Sequence, residues 1–322
     1  MIVDMVAVFS TLDSNETIAS APEIQASIEA FRLRRQTGLM RLSYSPSDNL
    51  YLFFNRGKAI SSMFTASGET QSLRHDQWQD KIQTAGDAYA KTIPLSPLGL
   101  LLTGISLQMQ DAQSEEIASS GDVAAFFKSK NRLVGSSLFQ FNWHSSSGLV
   151  FFPDDRESPY SVYVSKEVVL DEIGVSRVFH DWEDTNCSAS VYYPDSSVDL
   201  WQEYRLRRLF AYICKPMLDR FELLTGRALM DSLIRLMMIF ASEHDLDISI
   251  SSRSLVNQEV FFSSELAAHK YQLYLNEIFQ HCSAVIGPRL LASVLREILS
   301  GLPEVDRGLL KTYSLVPRGI IL

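Results

Sequence analysis

The chain has 322 residues, a length that predicts about two domains. With 46% hydrophobic and 21% charged residues it reads as globular, and three widely spaced cysteines exclude a disulfide scaffold or a four-cysteine zinc module. The net charge of −9 is uneven: residues 1–197 carry 15 basic and 24 acidic side chains, residues 198–322 carry 14 of each. Affinity for nucleic acid rests on clustered cations, so neither half reads as a nucleic-acid binder. No stretch approaches the roughly 20 apolar residues of a membrane span, and the start lacks a cationic leader, so the expected location is the cytoplasm.

Pro22 to Gly38 reads as a helix, with Pro22 at its first position, Ile24, Ile28 and Phe31 along one face, and Gly38 just past its end. Arg32, Arg34 and Arg35 sit in its last turn, where cations complement the helix dipole. Two strands follow, Leu39–Tyr44 and Leu50–Phe54, joined by Ser45-Pro-Ser-Asp-Asn49; the turn Asn55-Arg-Gly57 leads to a third, Ala59–Phe64. Gly57 falls where a hairpin turn needs a positive φ. Tyr51 and Phe53 face one side of the sheet, Leu52 and Phe54 the other. Both faces are therefore apolar: one is core, and the second is either covered by helices or is an interface.

Residues 71–90 and Leu98–Leu107 read as helical, and 111–121 as a linker. A short helix at Val123–Lys130 precedes the strands Leu138–Trp143 and Leu149–Phe152, separated by Ser145-Ser-Ser-Gly148. This order echoes residues 39–54 with a one-residue offset, which leaves both a duplication and a coincidence open. From 198 the period becomes helical: Leu206, Leu209, Phe210, Ile213 and Met217 form a stripe limited by Pro216, and a second helix covers Asp219–Ser242. Ile248 and Ile250, then Val256, Val260 and Phe262, suggest a hairpin. Ser263 or Ser264 caps a long helix, Pro288 opens another that Gly301 closes, and Pro303 opens a last one ending near Tyr313. The fold class is α+β: an N-terminal antiparallel-sheet module with helices (1–110), a β-rich middle segment (122–197) readable as a diverged repeat, and a mostly helical C-terminal domain with a short hairpin (198–322).

The string Gln36-Thr-Gly-Leu-Met-Arg-Leu42, a Ser/Pro/Asp turn, and Leu50-Tyr-Leu-Phe-Phe-Asn-Arg-Gly-Lys-Ala-Ile60 resemble the PATAN domain family, in which a helix leads to "TG-L-L" and a hairpin carries "L-Y-F-x-x-G-x-I". The resemblance covers about residues 22–64. It implies an interaction module of bacterial regulators in phototaxis, surface motility and differentiation, without catalytic residues of its own. The chain then reads as a non-enzymatic signalling regulator or adaptor with protein partners. Its expected working surface is the turn Pro46–Asn49, the turn Asn55–Lys58 and one strand edge, with Asp48, Asn49, Arg56, Gly57 and Lys58 as interaction residues. Arg56 and Lys58 offer positive charge to an acidic partner from an otherwise acidic module.

Two other classes compete. His75-Asp76, His180-Asp181 and His244-Asp245 are a surplus of His-Asp pairs, the residue types of a metal-dependent hydrolase, but their contexts differ and they are not expected to converge. A structural subunit of a homo-oligomer is the third class. Asp181-Trp-Glu-Asp184, with His180 and Cys187 nearby, reads as a cation chelate or a solvated turn. Neither phosphate-cradling glycine motif occurs, and the serines at 61–62 and 145–147 lack a nucleophile elbow. Cys214 and Cys282 read as buried small hydrophobes. Arg205–Arg208 reads as a solvated face or a basic rim, and Met230, Met237, Met238 and Phe240 as core or an adaptable groove. No catalytic, cofactor-binding or metal residue is assigned, and no cofactor is expected.

Overall fold

The architecture is taken from a computed structural model, which describes residues 17–67, 69–109, 198–251 and 254–316, together with strand segments at 114–117, 137–143, 146–152, 160–164, 169–171 and 187–193. It forms two compact units, Met1–Val198 and Asp199–Leu322.

The first unit begins with β1 (Thr17–Ala19) and α1 (Ala21–Arg34), followed by β2 (Gly38–Ser43), β3 (Asn49–Asn55), β4 (Lys58–Ala66), β5 (Glu69–Ser72), α2 (His75–Thr84), β6 (Ala88–Pro94) and α3 (Pro97–Gln108). The six strands make one antiparallel sheet in the order β1-β6-β2-β3-β4-β5. At the start of α1 the Glu23 carboxylate accepts the Ser20 N–H at 2.8 Å, a reciprocal cap that lets Pro22 enter the first turn. The helix ends earlier than its sequence suggests. Arg35, not Gly38, takes the left-handed conformation (φ 50°), and the Gln36 N–H closes back on the Phe31 carbonyl. Gly38 instead starts β2, where a Cβ would sit 2.3 Å from the Ile93 carbonyl oxygen.

Both faces of this sheet are buried. Met40, Leu42, Leu50, Leu52, Phe54 and Phe64 pack with Ile24 and Phe31 of α1 and with Trp78 and Ile82 of α2, and the Phe31 and Phe54 rings stack at 4.5 Å. On the reverse face Leu39, Tyr51, Phe53, Met63 and Ile93 are buried, and α3, apolar on all sides, contacts β2. The helical reading of 71–90 is corrected: only His75–Thr84 is helix, flanked by β5 and β6. Pairing with β1 and β2, remote in sequence, holds β6 extended.

The described strands of the next segment are β7 (Ser114–Ile117), β8 (Ser137–Trp143), β9 (Ser146–Phe152), β10 (Tyr160–Val164), β11 (Val169–Asp171) and β12 (Cys187–Tyr192), in the order β11-β10-β9-β8-β12-β7. β7 falls inside the stretch expected to be a linker, whereas the helix expected at Val123–Lys130 lies outside the described residues.

The second unit is helical: α4 (Asp199–Thr225), α5 (Arg227–Glu243), the hairpin β13 (Ile248–Ile250) with β14 (Leu255–Asn257), then α6 (Ser264–Ile286), α7 (Pro288–Ser300) and α8 (Glu304–Thr312). Its core centres on α4 against α6, with Phe210 stacked on Tyr271 at 4.6 Å and both Cys214 and Cys282 fully buried. Pro216 does not limit α4. The helix runs through it and breaks at Gly226 (φ 86°), because the packed face on either side of the proline outweighs one missing hydrogen bond.

Two carboxylates of α4 anchor the start of α6. Glu203, 1% exposed, accepts the Phe261 N–H at 2.8 Å and the Ser263 N–H at 3.1 Å, and Asp199 accepts from the Ser264 backbone and hydroxyl. A carboxylate such as that of Asp199 is favourable at a helix N-terminus, and Ser263 itself caps by accepting the Leu266 N–H. Burial pushes the Glu203 carboxyl up to about 8, against the pull of the Phe261 N–H, the Arg207 charge and the Ser263 N–H. A carboxyl protonated in the fold but ionised when unfolded makes the folded state bind more protons between its ordinary value of 4.5 and about 8. Stability of this unit should therefore fall as pH rises through that window, read as the thermal midpoint, and Glu203→Gln should flatten the dependence.

Candidate functional site

Arg56 (φ 52°) and Gly57 (φ 79°) close the β3–β4 hairpin as a two-residue turn whose left-handed geometry suits twisted strands. The turn is seated on the connection between α1 and β2. The Gly57 N–H donates to the Gln36 carbonyl at 2.8 Å, the Arg56 N–H donates to Thr37 Oγ1 at 3.0 Å, and the Thr37 hydroxyl donates to Asn55 Oδ1 at 3.2 Å. A Cβ at Gly57 would lie 2.8 Å from the carbonyl oxygens of both Phe31 and Arg32. The threonine and glycine of the recognisable motif thus fasten a turn to a helix end.

That fastening brings two stretches of cations together. Arg32, Leu33, Arg34 and Arg35 are exposed at the end of α1, and beside them the turn carries half-buried Arg56 and exposed Lys58. Leu33 is 71% exposed within this group, and Arg32 pairs with Glu29 one turn back. Residues 17–109 hold nine basic and seven acidic side chains, so five of the nine cations meet at one end of the sheet. Over the whole module, residues 1–110, the balance is nine basic and ten acidic side chains, and the larger acidic excess lies in residues 110–197, with six basic and fourteen acidic side chains.

The five expected interaction residues do not form one surface. Asp48 and Asn49 lie at the opposite end of β3, about 20 Å away at the usual rise per residue. Asp48 is half-buried, its backbone closing the turn with Tyr44 and Ser45, and Asn49 is buried, accepting the Ser43 hydroxyl at 2.6 Å. Gly57 is buried as well, leaving Lys58 as the exposed member of the set. The hairpin also offers no free edge: β2 and β3 are interior, and the outer strands are β1 and the short, polar β5. Sequence reading missed the contribution of Arg34 and Arg35, although their place in the last helical turn before Thr37-Gly38 was the available signal.

Other candidates are placed as follows. His75 lies on the first turn of α2 with its ring edge-on to Trp78, and Asp76 pairs with Arg74. His244 ends α5 against the Phe240 ring at 4.2 Å, while His180-Asp181 and the acidic run to Asp184 lie outside the described residues. Among the described residues no three His, Cys, Asp or Glu side chains are grouped to hold an ion. The Arg205–Arg208 string is neither a solvated face nor a basic rim: Arg205 pairs with Asp306, and Arg207 donates to the Asn257 and Glu259 carbonyls. Met230 and Met237 are core, whereas Met238 is exposed. An open groove of about 520 Å³ runs between α4 and α7, lined in part by Tyr212, Pro216, Leu223 and Gly301, with Arg220 and Glu297 3.6 Å apart at its wall. No described helix is long and apolar enough to cross a membrane.

The chain matches no protein-family model, no curated protein and no solved structure.

Gly57→Ala meets both a left-handed backbone and two carbonyl oxygens, whereas Gly86→Ala (φ 83°) meets the backbone requirement alone, with open space around it. Urea unfolding should show a loss of about 1 kcal/mol for Gly86→Ala and at least about twice that for Gly57→Ala. Equal losses would mean that the turn does not seat on α1.

Proposed function

We propose that the chain is a non-enzymatic regulator or adaptor whose first module is PATAN-like and which binds an acidic protein partner through the end of the sheet bearing Arg34, Arg35, Arg56 and Lys58. The bacterial signalling setting rests on the resemblance of residues 36–60. The observation that carries the reading is the convergence of two cationic segments around an exposed leucine, fastened by Thr37 and Gly57. An apolar anchor inside a charged rim matches the anatomy of interaction surfaces. The chain's own packing also supports a docking role in preference to chemistry at this place, because Thr37 and Gly57 make structural hydrogen bonds while Arg34, Arg35 and Lys58 are exposed. Charges at such a rim act mainly on association rate and orientation.

The test is capture of partners from the native cell by the full chain and by the double variant Arg56→Glu with Lys58→Glu. Lys58 is exposed and Arg56 half-buried, so the variant should stay folded and lose no more than about 1 kcal/mol in urea unfolding. Capture should fall about tenfold, or roughly 1.4 kcal/mol, and wild-type capture should weaken as salt is raised. A folded variant that captures the same partners undiminished would move the working surface elsewhere.

A further inference from the structure

The two sheets of the first unit have one strand order. From one edge to the other the first runs β1-β6-β2-β3-β4-β5 and the second β7-β12-β8-β9-β10-β11, and every neighbouring pair in both is antiparallel. Four consecutive strands side by side are common, and that part of the likeness carries little weight. More telling is the sixth strand, which in both sheets returns to separate the first strand from the second.

Register decides the matter. Leu39 lies opposite Phe53, and Leu138 opposite Phe151. Phe53 faces Ser61, and Phe151 faces Tyr160. Met63 faces Ser72, and Val162 faces Asp171. Leu39 faces Ile93, and Leu138 faces Tyr192. Thr17 faces Ala90, and Ile117 faces Ala189. Each second pair follows from the first by a shift of 98–100 residues, although a slip of one residue in any strand would exchange its two faces. The two long connections agree as well, residues 73–87 and 172–186 being fifteen each and residues 20–37 and 118–136 eighteen and nineteen, whereas the three hairpin connections differ, with five, two and two residues in the first sheet against two, seven and four in the second.

The side-chain types follow the same shift. Leu39-Met-Arg-Leu-Ser-Tyr44 matches Leu138-Phe-Gln-Phe-Asn-Trp143, apolar for apolar and polar for polar, and Leu52-Phe-Phe54 matches Val150-Phe-Phe152. Ser43 opposite Asn49 recurs as Asn142 opposite Ser147, the two residue types exchanged across the strands.

We infer that residues 17–94 and 114–192 are two copies of one six-strand module, produced by tandem duplication of a segment of about 99 residues. The inference is independent of the adaptor role. It separates what the module's frame requires from what one copy adds. Arg41 and Lys91, buried and opposite one another in the first copy, correspond to Gln140 and Ser190, opposite one another in the second. The frame is built without cations at those positions, so the buried pair belongs to the first copy's own specialisation. The copies have also parted in charge, with nine basic and seven acidic residues in 17–94 against six and twelve in 114–192.

Two measurements on the full chain test this. In an experimental structure, one rigid superposition with a 99-residue shift should bring all six strands of the first sheet onto the second within less than the strand spacing of about 4.8 Å. A second sheet of different order or connection hand would overturn the duplication. The second measurement is a graft of residues 39–54, keeping Gln140 in the place of Arg41, in exchange for residues 138–152. The grafted chain should retain cooperative thermal unfolding, whereas a graft of residues 40–55, which reverses every face, should lose it. An aligned graft that melts no better than the slipped one would also overturn the inference.

Discussion

The approach of Gly57 to the carbonyl ends of α1 is the contact on which the first module's working end depends. Only a residue without a Cβ leaves room for the Phe31 and Arg32 oxygens, and only a left-handed turn aims the Gly57 N–H at Gln36. Once the turn is seated, the Thr37 hydroxyl bridges Asn55 and the Arg56 backbone, and the exposed ends of α1 and of the hairpin become one surface. Like charges brought together in this way repel, and a helix C-terminus partly offsets that cost by favouring nearby cations. Fold and surface here have the same cause.

Charge is used in the opposite manner in the helical unit. Its carboxyl groups Asp199 and Glu203 and the arginines 205 and 207 are engaged within the unit, with the start of α6, the Asn257 and Glu259 carbonyls and Asp306, although Glu203 alone of the four is buried. Each of these polar groups has a partner or N–H donors, which is the condition for taking it out of water, and the most buried of them, Glu203, also has its carboxyl pushed up to about 8 by burial. A sequence stretch as basic as Arg205-Leu-Arg-Arg208 is thus spent on internal order, while the similar Arg32-Leu-Arg-Arg35 faces solvent. The two strings differ in surroundings and not in composition.

Covering both faces of the first sheet, one by α1 and α2 and one by the apolar α3, explains why its strands are apolar on both sides without offering an exposed sheet face. It also leaves only the ends of the sheet, its short edges and the helix exteriors exposed among the described residues of this module. Duplication of such a closed unit is physically undemanding, since each copy brings its own strand partners. After such a duplication packing would hold the interior pattern while charge is free to diverge, in keeping with the different balances of 17–94 and 114–192.

What the sequence by itself determined is local. Pro22, Ser263, Pro288 and Pro303 mark helix starts within a residue or two, and the β2–β3 hairpin and the turn at Asn55–Gly57 follow from alternation and turn chemistry, because caps, fixed φ angles and period-two burial act over a few neighbouring residues. Tertiary structure alone decided the rest. β6 is a strand because it pairs with β2 some fifty residues earlier, α4 passes Pro216 because α6 supports it, and Asp48 and Arg56, eight positions apart in sequence, end at opposite ends of one extended strand. The cationic end of the sheet was legible only in part for the same reason: Arg56 and Lys58 announce themselves in a turn, but their meeting with Arg34 and Arg35 depends on the seating of one glycine against a helix that precedes it by more than twenty residues.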